Sequence, residues 1–297
     1  MPSVKNDALP SFEEHRVDRG IGSVYVRDFP GSGPAFVVLH GFPDNSHIYD
    51  ALIPYLSAAG RRVVAVDFLG FGASDKPANA NYSFAQQLGD LEAVAEALNL
   101  DKIIPVGHDA GGPAAINFAL KHPGRTAFVT LMNVFYGDAP GLRVPELIEV
   151  FSNKKLEALH RHFLQSPQQF AWLLEFQRVR LGTILKESQR ARYLEFLGPI
   201  IDQNFMQKPS AALAFAQMTY QLTDEVIANT ARLPELRRSD VPLLLIWGKA
   251  DPYLHVGVAE DMRSQARQAA LHVLDAGHWP QVDEAAETSR IMLESRW

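Results

Sequence analysis

The chain contains no cysteine. A disulfide framework, a thiolate nucleophile and a Cys-ligated zinc are thereby excluded, and the composition is compatible with a reducing compartment. Basic residues are also in deficit, since 28 Lys and Arg against 34 Asp and Glu leave a net charge of −6. Such a surface has no electrostatic footprint for a nucleic-acid backbone and no basic face for anionic lipid, so a small-molecule partner is expected. No apolar run approaches the roughly 18 residues of a membrane span. The opening segment MPSVKNDALPSFEEH lacks the apolar centre of a signal peptide. These absences lead to the expectation of a soluble, cytoplasmic protein, monomer or homodimer. What is present, 47% apolar and 21% charged residues over 297 positions, describes an ordinary globular chain able to bury a substantial core.

Six short apolar runs punctuate the chain: Ala35 to His40, Arg62 to Phe68, Lys102 to Gly107, Ala127 to Val134, Pro242 to Gly248 and Ala270 to Asp275. They are nearly continuous rather than alternating, as expected of central strands covered on both faces. Helical stretches separate most of them. Ser83 and Gln86 read as a capping box ahead of the run to Leu98, and small residues from Gly111 to Leu120 follow the third strand. Strand and helix in alternation predict a mostly parallel α/β sheet flanked by helices.

Between about Tyr136 and Leu236 the alternation gives way to helical spacing. Leu156, Leu159, His160 and Phe163 form one stripe, and Ala212, Phe215, Ala216, Thr219 and Tyr220 another. Ser166, Pro167 and Gln169 read as a cap, a first-turn proline and a capping-box partner. Because strand signals resume at Pro242, this block is expected to be an inserted helical cap. The division is core 1–136, cap 137–236, core 237–297.

The segment Gly107-His108-Asp109-Ala110-Gly111-Gly112 sits between a strand and a helix. Glycines two before and two after Asp109 permit a cramped turn that lifts its side chain above the sheet. That tip belongs to serine in a GxSxG nucleophile elbow, and no GxSxG occurs in this chain. A plain alternative is that Asp109 only caps the following helix. Three further segments weigh against it. His40-Gly41-Phe42-Pro43 follows the first core strand, Asp251 lies in Trp247-Gly248-Lys249-Ala250-Asp251-Pro252, and His278 in Ala276-Gly277-His278-Trp279-Pro280. Each falls beyond the C-terminal end of a predicted strand, where open α/β sheets place their sites.

With these motifs, and Asp67, Gly70, Gly72 and Ser74 of the loop DFLGFGAS, the chain resembles the aspartate-nucleophile branch of the α/β-hydrolase fold, which holds epoxide hydrolases and haloalkane and haloacetate dehalogenases. The resemblance covers nearly the whole chain. It implies Asp109 as nucleophile, His278 as base, Asp251 as its acid partner, and the backbone N–H groups of Phe42 and Ala110 as an oxyanion hole. A carboxylate is already ionised at neutral pH, so it can displace a leaving group from saturated carbon without a base. The resulting alkyl ester would then be hydrolysed by water activated at His278. Neither a metal nor an organic cofactor is implied.

The leaving group is the open question. Epoxide hydrolases resembling this chain carry two cap tyrosines and an HGxP motif like HGFP here. Tyr220 matches the second tyrosine, while Trp172 stands at the first. A tryptophan and tyrosine in those places resemble a haloacetate dehalogenase pocket, yet Ala110 and Pro113 occupy the positions of its carboxylate-binding arginines. Haloalkane dehalogenases place tryptophan directly after the nucleophile, where this chain has Ala110. The resemblance therefore implies an epoxide hydrolase in which Tyr220, with Tyr136 or Tyr193, serves the leaving oxygen. The alternatives are a carbon–halogen hydrolase, a ligand-binding member of the fold without turnover, and an acyl hydrolase working through water alone. Trp172 and Tyr220 also sit on apolar stripes, where each could be a packed aromatic. Asn133, in a place where some relatives carry the acid, cannot hold a negative charge, which favours Asp251. His255 reads as a loop residue.

Overall fold

The computed structural model describes residues 9–295 and 297. The six apolar runs become strands β3 (Ser32–Leu39), β4 (Arg61–Asp67), β5 (Ile103–Asp109), β6 (Val129–Val134), β7 (Leu243–Gly248) and β8 (Ala269–Leu274). Two more precede them, β1 (Glu13–Asp18) and β2 (Ser23–Phe29). The sheet order is β1-β2-β4-β3-β5-β6-β7-β8. β2 pairs antiparallel with β1 and β4, and every other pairing is parallel.

The alternation within the strands explains their continuous apolarity. Val37 and Leu39 of β3 enter the cluster on one face of the sheet, and Phe36 and Val38 the cluster on the other. Each such side chain, fully buried, stabilises the fold by about 1.5–3 kcal/mol. The helices Phe84–Ala97 and Gly111–Lys121 pack together against the first face, and Ile53–Ala58 and Ala285–Glu294 contact each other on the second. β1 escapes a reading by apolar runs because it is an edge strand: of EEHRVD only Val17 is buried.

Between β6 and β7 the chain makes a helical excursion through Glu146–Ser152, Glu157–Gln165, Pro167–Ile184, Glu187–Arg192, a π-helical turn Tyr193–Leu197, Gly198–Met206, Ala212–Tyr220 and Leu222–Arg238. Phe215 joins it to the loop after β3, its ring 5.9 Å from Phe42, and packs within the excursion on Phe151 at 5.3 Å. Edge-to-face pairs of this kind contribute about 0.5–1.5 kcal/mol each beyond their area.

Three local expectations need correction. Ser83 does accept the Gln86 N–H at 3.1 Å, but the Gln86 carboxamide turns to Asp90 instead of closing the capping box. Ser166 precedes the helix begun by Pro167 without a side-chain cap bond. In the stripe around His160 only His160 is buried, and Leu159 faces solvent. Among the described residues no helix is long and apolar enough to cross a membrane.

Candidate active site

Asp109 ends β5 with φ +47°, a left-handed conformation costly to a residue bearing a Cβ. The flanking glycines make room for it. A Cβ on Gly111 would lie 2.6 Å from the Leu39 carbonyl oxygen, and one on Gly41 would lie 2.5 Å from the Asp109 Cβ. The loop after β3 therefore closes directly on the elbow, and the Phe42 N–H donates to Asp109 Oδ2 at 3.2 Å. Burial pushes the Asp109 carboxyl up from its ordinary range, opposed by the positive His278 and by the Ala110 and Phe42 amides.

His278 follows β8, and its Nδ1 pairs with Asp251 Oδ2 at 2.6 Å. With Nδ1 bonded to Asp251, Nε2 is the ring nitrogen left to exchange a proton at the cavity. Asp251 is buried after β7. Its Oδ1 accepts the Tyr253 and Leu254 N–H groups at 2.9 and 3.0 Å, and its Oδ2 also accepts from Asn133 Nδ2 at 2.8 Å. Burial raises the Asp251 pKa, but His278 and these donors more than reverse it, so the acid lies below its ordinary value. Burial disfavours the His278 imidazolium, yet Asp251, Asp109 and Asp44 together push it up to about 9. Asn133, at φ +42°, holds β7 as well, accepting the Gly248 N–H at 2.8 Å. His255 caps the helix Val256–Gln265 through Gly257 and takes no part.

A second buried carboxyl, Asp44, escaped the sequence reading although it directly follows HGFP. Trp279 Nε1 donates to it at 3.0 Å, and His108 Nδ1 lies 3.7 Å away. Burial pushes Asp44 up to about 7, against the Trp279 bond and the charge of His278. Asn204 was also missed. This fully buried side chain from the excursion donates to the Pro43 and Asp44 carbonyls at 2.8 and 2.7 Å and accepts the Gly72 N–H at 2.9 Å. Nothing local marks it, because its partners lie more than 130 residues away.

A cavity of about 760 Å³ lies between the strand ends and the excursion. Phe42, Asp109 and His278 line it from the sheet side, and Leu147, Leu174 and Leu222 from the excursion. The two aromatics expected to serve a leaving group do not reach it. Trp172 is 60% exposed and stacks on Phe176 at 5.9 Å, because Phe170, Leu173, Leu174 and Gln177 occupy the inward face of its helix. Tyr220 ends its helix against His160 at 5.6 Å, with Lys154 Nζ 5.9 Å from its ring. Tyr136 is committed to Asn117 at 2.8 Å. Tyr193 does line the cavity, beside Trp279 at 5.4 Å, and its hydroxyl has no hydrogen-bond partner among the described residues. Burial raises its pKa.

A parallel sheet whose strand ends gather a carboxylate, an acid-paired histidine and a closing amide defines a class of hydrolytic fold. Residues 34–285 match the family described as alpha/beta hydrolase fold, and the chain belongs to it. It is a hydrolase with epoxide hydrolase and haloalkane dehalogenase relatives. It is 32% identical over 233 residues to a haloalkane dehalogenase of Mycobacterium marinum, covering 77% of this chain and 73% of that protein. It is 28% identical over 287 residues to a bifunctional epoxide hydrolase 2 of Sus scrofa, covering 89% of this chain and 51% of that protein. The solved esterase of Exiguobacterium antarcticum superposes with a TM-score of 0.73 at 23% identity, over 96% of this chain and 98% of that one, and shares the fold.

Proposed function

We propose that this hydrolase opens an epoxide through a covalent ester on Asp109. The observation that carries the reading is the grip of the Phe42 N–H on Asp109 Oδ2, in a cavity shared with a histidine bonded to Asp251. One Asp109 oxygen attacks a ring carbon, the carbon–oxygen bond breaks, and its electron pair stays on the oxygen, which takes a proton from Tyr193. Water then attacks the Asp109 carboxyl carbon while His278 Nε2 accepts its proton. The oxyanion so formed is stabilised by the Phe42 and Ala110 N–H groups, by roughly 3–4 kcal/mol per donor. Collapse passes the remaining hydroxyl proton of the intermediate to the departing ester oxygen, releases a diol and restores the carboxylate, and the proton held by His278 returns to Tyr193 through solvent. The excursion, residues 137–236, acts as the cap that holds substrate against the two core parts 1–136 and 237–297.

Electrostatics support the order of events. In the free site the Asp109 charge is one of three carboxylates that raise His278. Esterification neutralises it, so the His278 pKa falls and a larger fraction of the imidazole is neutral at the step that requires a base. The acid limb of kcat should therefore lie below the His278 pKa measured in the free protein by NMR.

Carbon–halogen cleavage is the second reading, favoured by the 32% identity to a haloalkane dehalogenase. Ala110, which follows the nucleophile without a side-chain donor, and the unpartnered Tyr193 hydroxyl support the epoxide. The test is to incubate His278→Gln with epoxides and organohalides and search by mass spectrometry for an ester on Asp109. An adduct with epoxides supports the proposal. An adduct with halides alone transfers it to the second reading. Wild-type turnover that persists in Asp109→Asn, with no adduct in any case, removes the covalent mechanism.

A further inference from the structure

The turn that carries Asp251 and the excursion meet at Tyr253, a core residue two positions past that acid which also lines the cavity. Its hydroxyl donates to Glu146 Oε2 at 2.7 Å and accepts from Gln177 Nε2 at 3.1 Å, and its carbonyl accepts the Arg143 N–H at 3.2 Å. All three partners lie in the excursion. Its backbone N–H points the other way and donates to Asp251 Oδ1 at 2.9 Å. A single residue therefore bonds the acid with its main chain and the excursion with its side chain.

Both sides of this joint are fixed. On the excursion side, Gln177 Oε1 accepts the Leu147 N–H at 3.0 Å, in a helix's first turn where intrahelical acceptors are absent. Gln177 also bonds the Glu146 carboxylate, and Arg180 Nε lies 3.6 Å from Glu146 Oε1. Burial raises the Glu146 pKa, but the bonds from Tyr253 and Gln177 and the charge of Arg180 more than reverse it, so the phenol donates to an ionised acceptor. On the core side, the Leu254 N–H joins that of Tyr253 on Asp251 Oδ1 at 3.0 Å, and the Leu254 carbonyl accepts from Trp247 Nε1 at 2.6 Å. Asp251 Oδ2 is then presented to His278 Nδ1 at 2.6 Å from a carboxylate whose other oxygen is held by this turn.

We propose that Tyr253 is a positioning residue: its hydroxyl ties the excursion to the acid turn, so that the seating of the excursion sets the orientation of the Asp251–His278 pair for hydrolysis of the ester. This inference rests on the reading of Asp109 as nucleophile and His278 as base. A stitch that merely fastened the excursion to the core would act on both halves of the reaction, through the shape of the cavity. A joint that orients the acid acts on one half alone, because attack by an ionised carboxylate needs no base and activation of water does.

The experiment is a rapid-quench single turnover of styrene oxide, with formation and decay of the Asp109 ester followed by mass spectrometry. Tyr253→Phe should slow decay by about tenfold, near the low end for a hydrogen bond to a charged group, and leave formation within about twofold. Glu146→Leu removes the same bond from the other side and should give the same defect, with no further loss in the double variant. Glu146→Gln keeps an oxygen that can accept from both Tyr253 and Gln177 and should retain the wild-type decay rate. Unchanged decay in Tyr253→Phe, or formation slowed as much as decay, overturns the proposal, as does a Glu146→Leu variant without the defect. If no ester forms, the reading of the reaction fails separately. The joint is then read in the free protein from the proton NMR signal of His278 Nδ1–H, which should shift or broaden in Tyr253→Phe and not in Glu146→Gln; a signal unmoved in Tyr253→Phe ends the proposal.

Discussion

Asp109 and Asp251 are chemically the same side chain, and their surroundings separate them. Asp251 is wrapped by two backbone N–H groups, Asn133 and His278, which hold it ionised, while Asp109 has fewer donors and sits at the cavity with its pKa raised. Both positions were legible in the sequence because each lies at or just past the end of an apolar run, in a turn of distinctive residues. The proposed leaving-group donor, Tyr193, was not. Trp172 and Tyr220 were placed by resemblance of position, whereas the inward face of a helix is set by which of its residues find the apolar interior. The pattern Phe170, Leu173, Leu174, Gln177 would have turned Trp172 outward. Tyr193→Phe should lower kcat on epoxides by about 10²-fold or more, since a general acid contributes 10²–10⁴-fold, and leave halide release unaffected because a halide departs without a proton. Tyr220→Phe and Trp172→Ala should change kcat by no more than about twofold, within the range of substitutions away from a site. Stopped-flow assays on both substrate classes check the pattern, and the reverse ranking would restore Tyr220 as the donor.

The excursion shows how far an element's fate depends on partners remote in sequence. Its existence was readable, because the spacing changes from strand to helix and back. Its attachment was not, because that depends on Phe215 meeting Phe42 and on Asn204 bridging two loops that lie far away in the chain. Removing the Asn204 side chain leaves the Gly72 N–H and the Pro43 and Asp44 carbonyls without this partner. Asn204→Ala is therefore expected to destabilise the protein by about 2–3 kcal/mol, at the upper end for unsatisfied buried groups. The shift should appear in the urea midpoint. Because the same bonds hold the loop that carries Phe42, kcat should fall as well, at temperatures where the variant remains folded. Loss of stability with unchanged kcat would show that the Phe42 amide is positioned without Asn204.

At the scale of the whole molecule, the site's charges are part of the stability of the fold. The His278 pKa is raised from 6.5 to about 9, so the folded state binds its proton more tightly than the unfolded chain does. This contribution is fully present below pH 6.5 and is lost as pH rises through about 9. Asp44, raised to about 7, acts in the same sense at lower pH, while the depressed His40 and His108 are already neutral in both states above pH 7. Between pH 7 and 9 the slope should therefore belong mainly to His278. Unfolding free energy measured in urea should decline across that window in the wild type and much less in Asp251→Asn, which removes the main carboxylate that raises the histidine. Equal slopes would assign the loss to other groups. By itself the sequence determined the order of strands and helices, the elbow at Asp109, and the turns bearing Phe42, Asp251 and His278, since each depends on neighbours within a few residues: apolar runs, glycines, a strand end. Only the tertiary structure decided the edge strand β1, the burial of Asp44 and Asn204, and which side chains of the excursion meet the cavity. Those depend on which surfaces come together across more than a hundred residues, and no local pattern encodes that geometry.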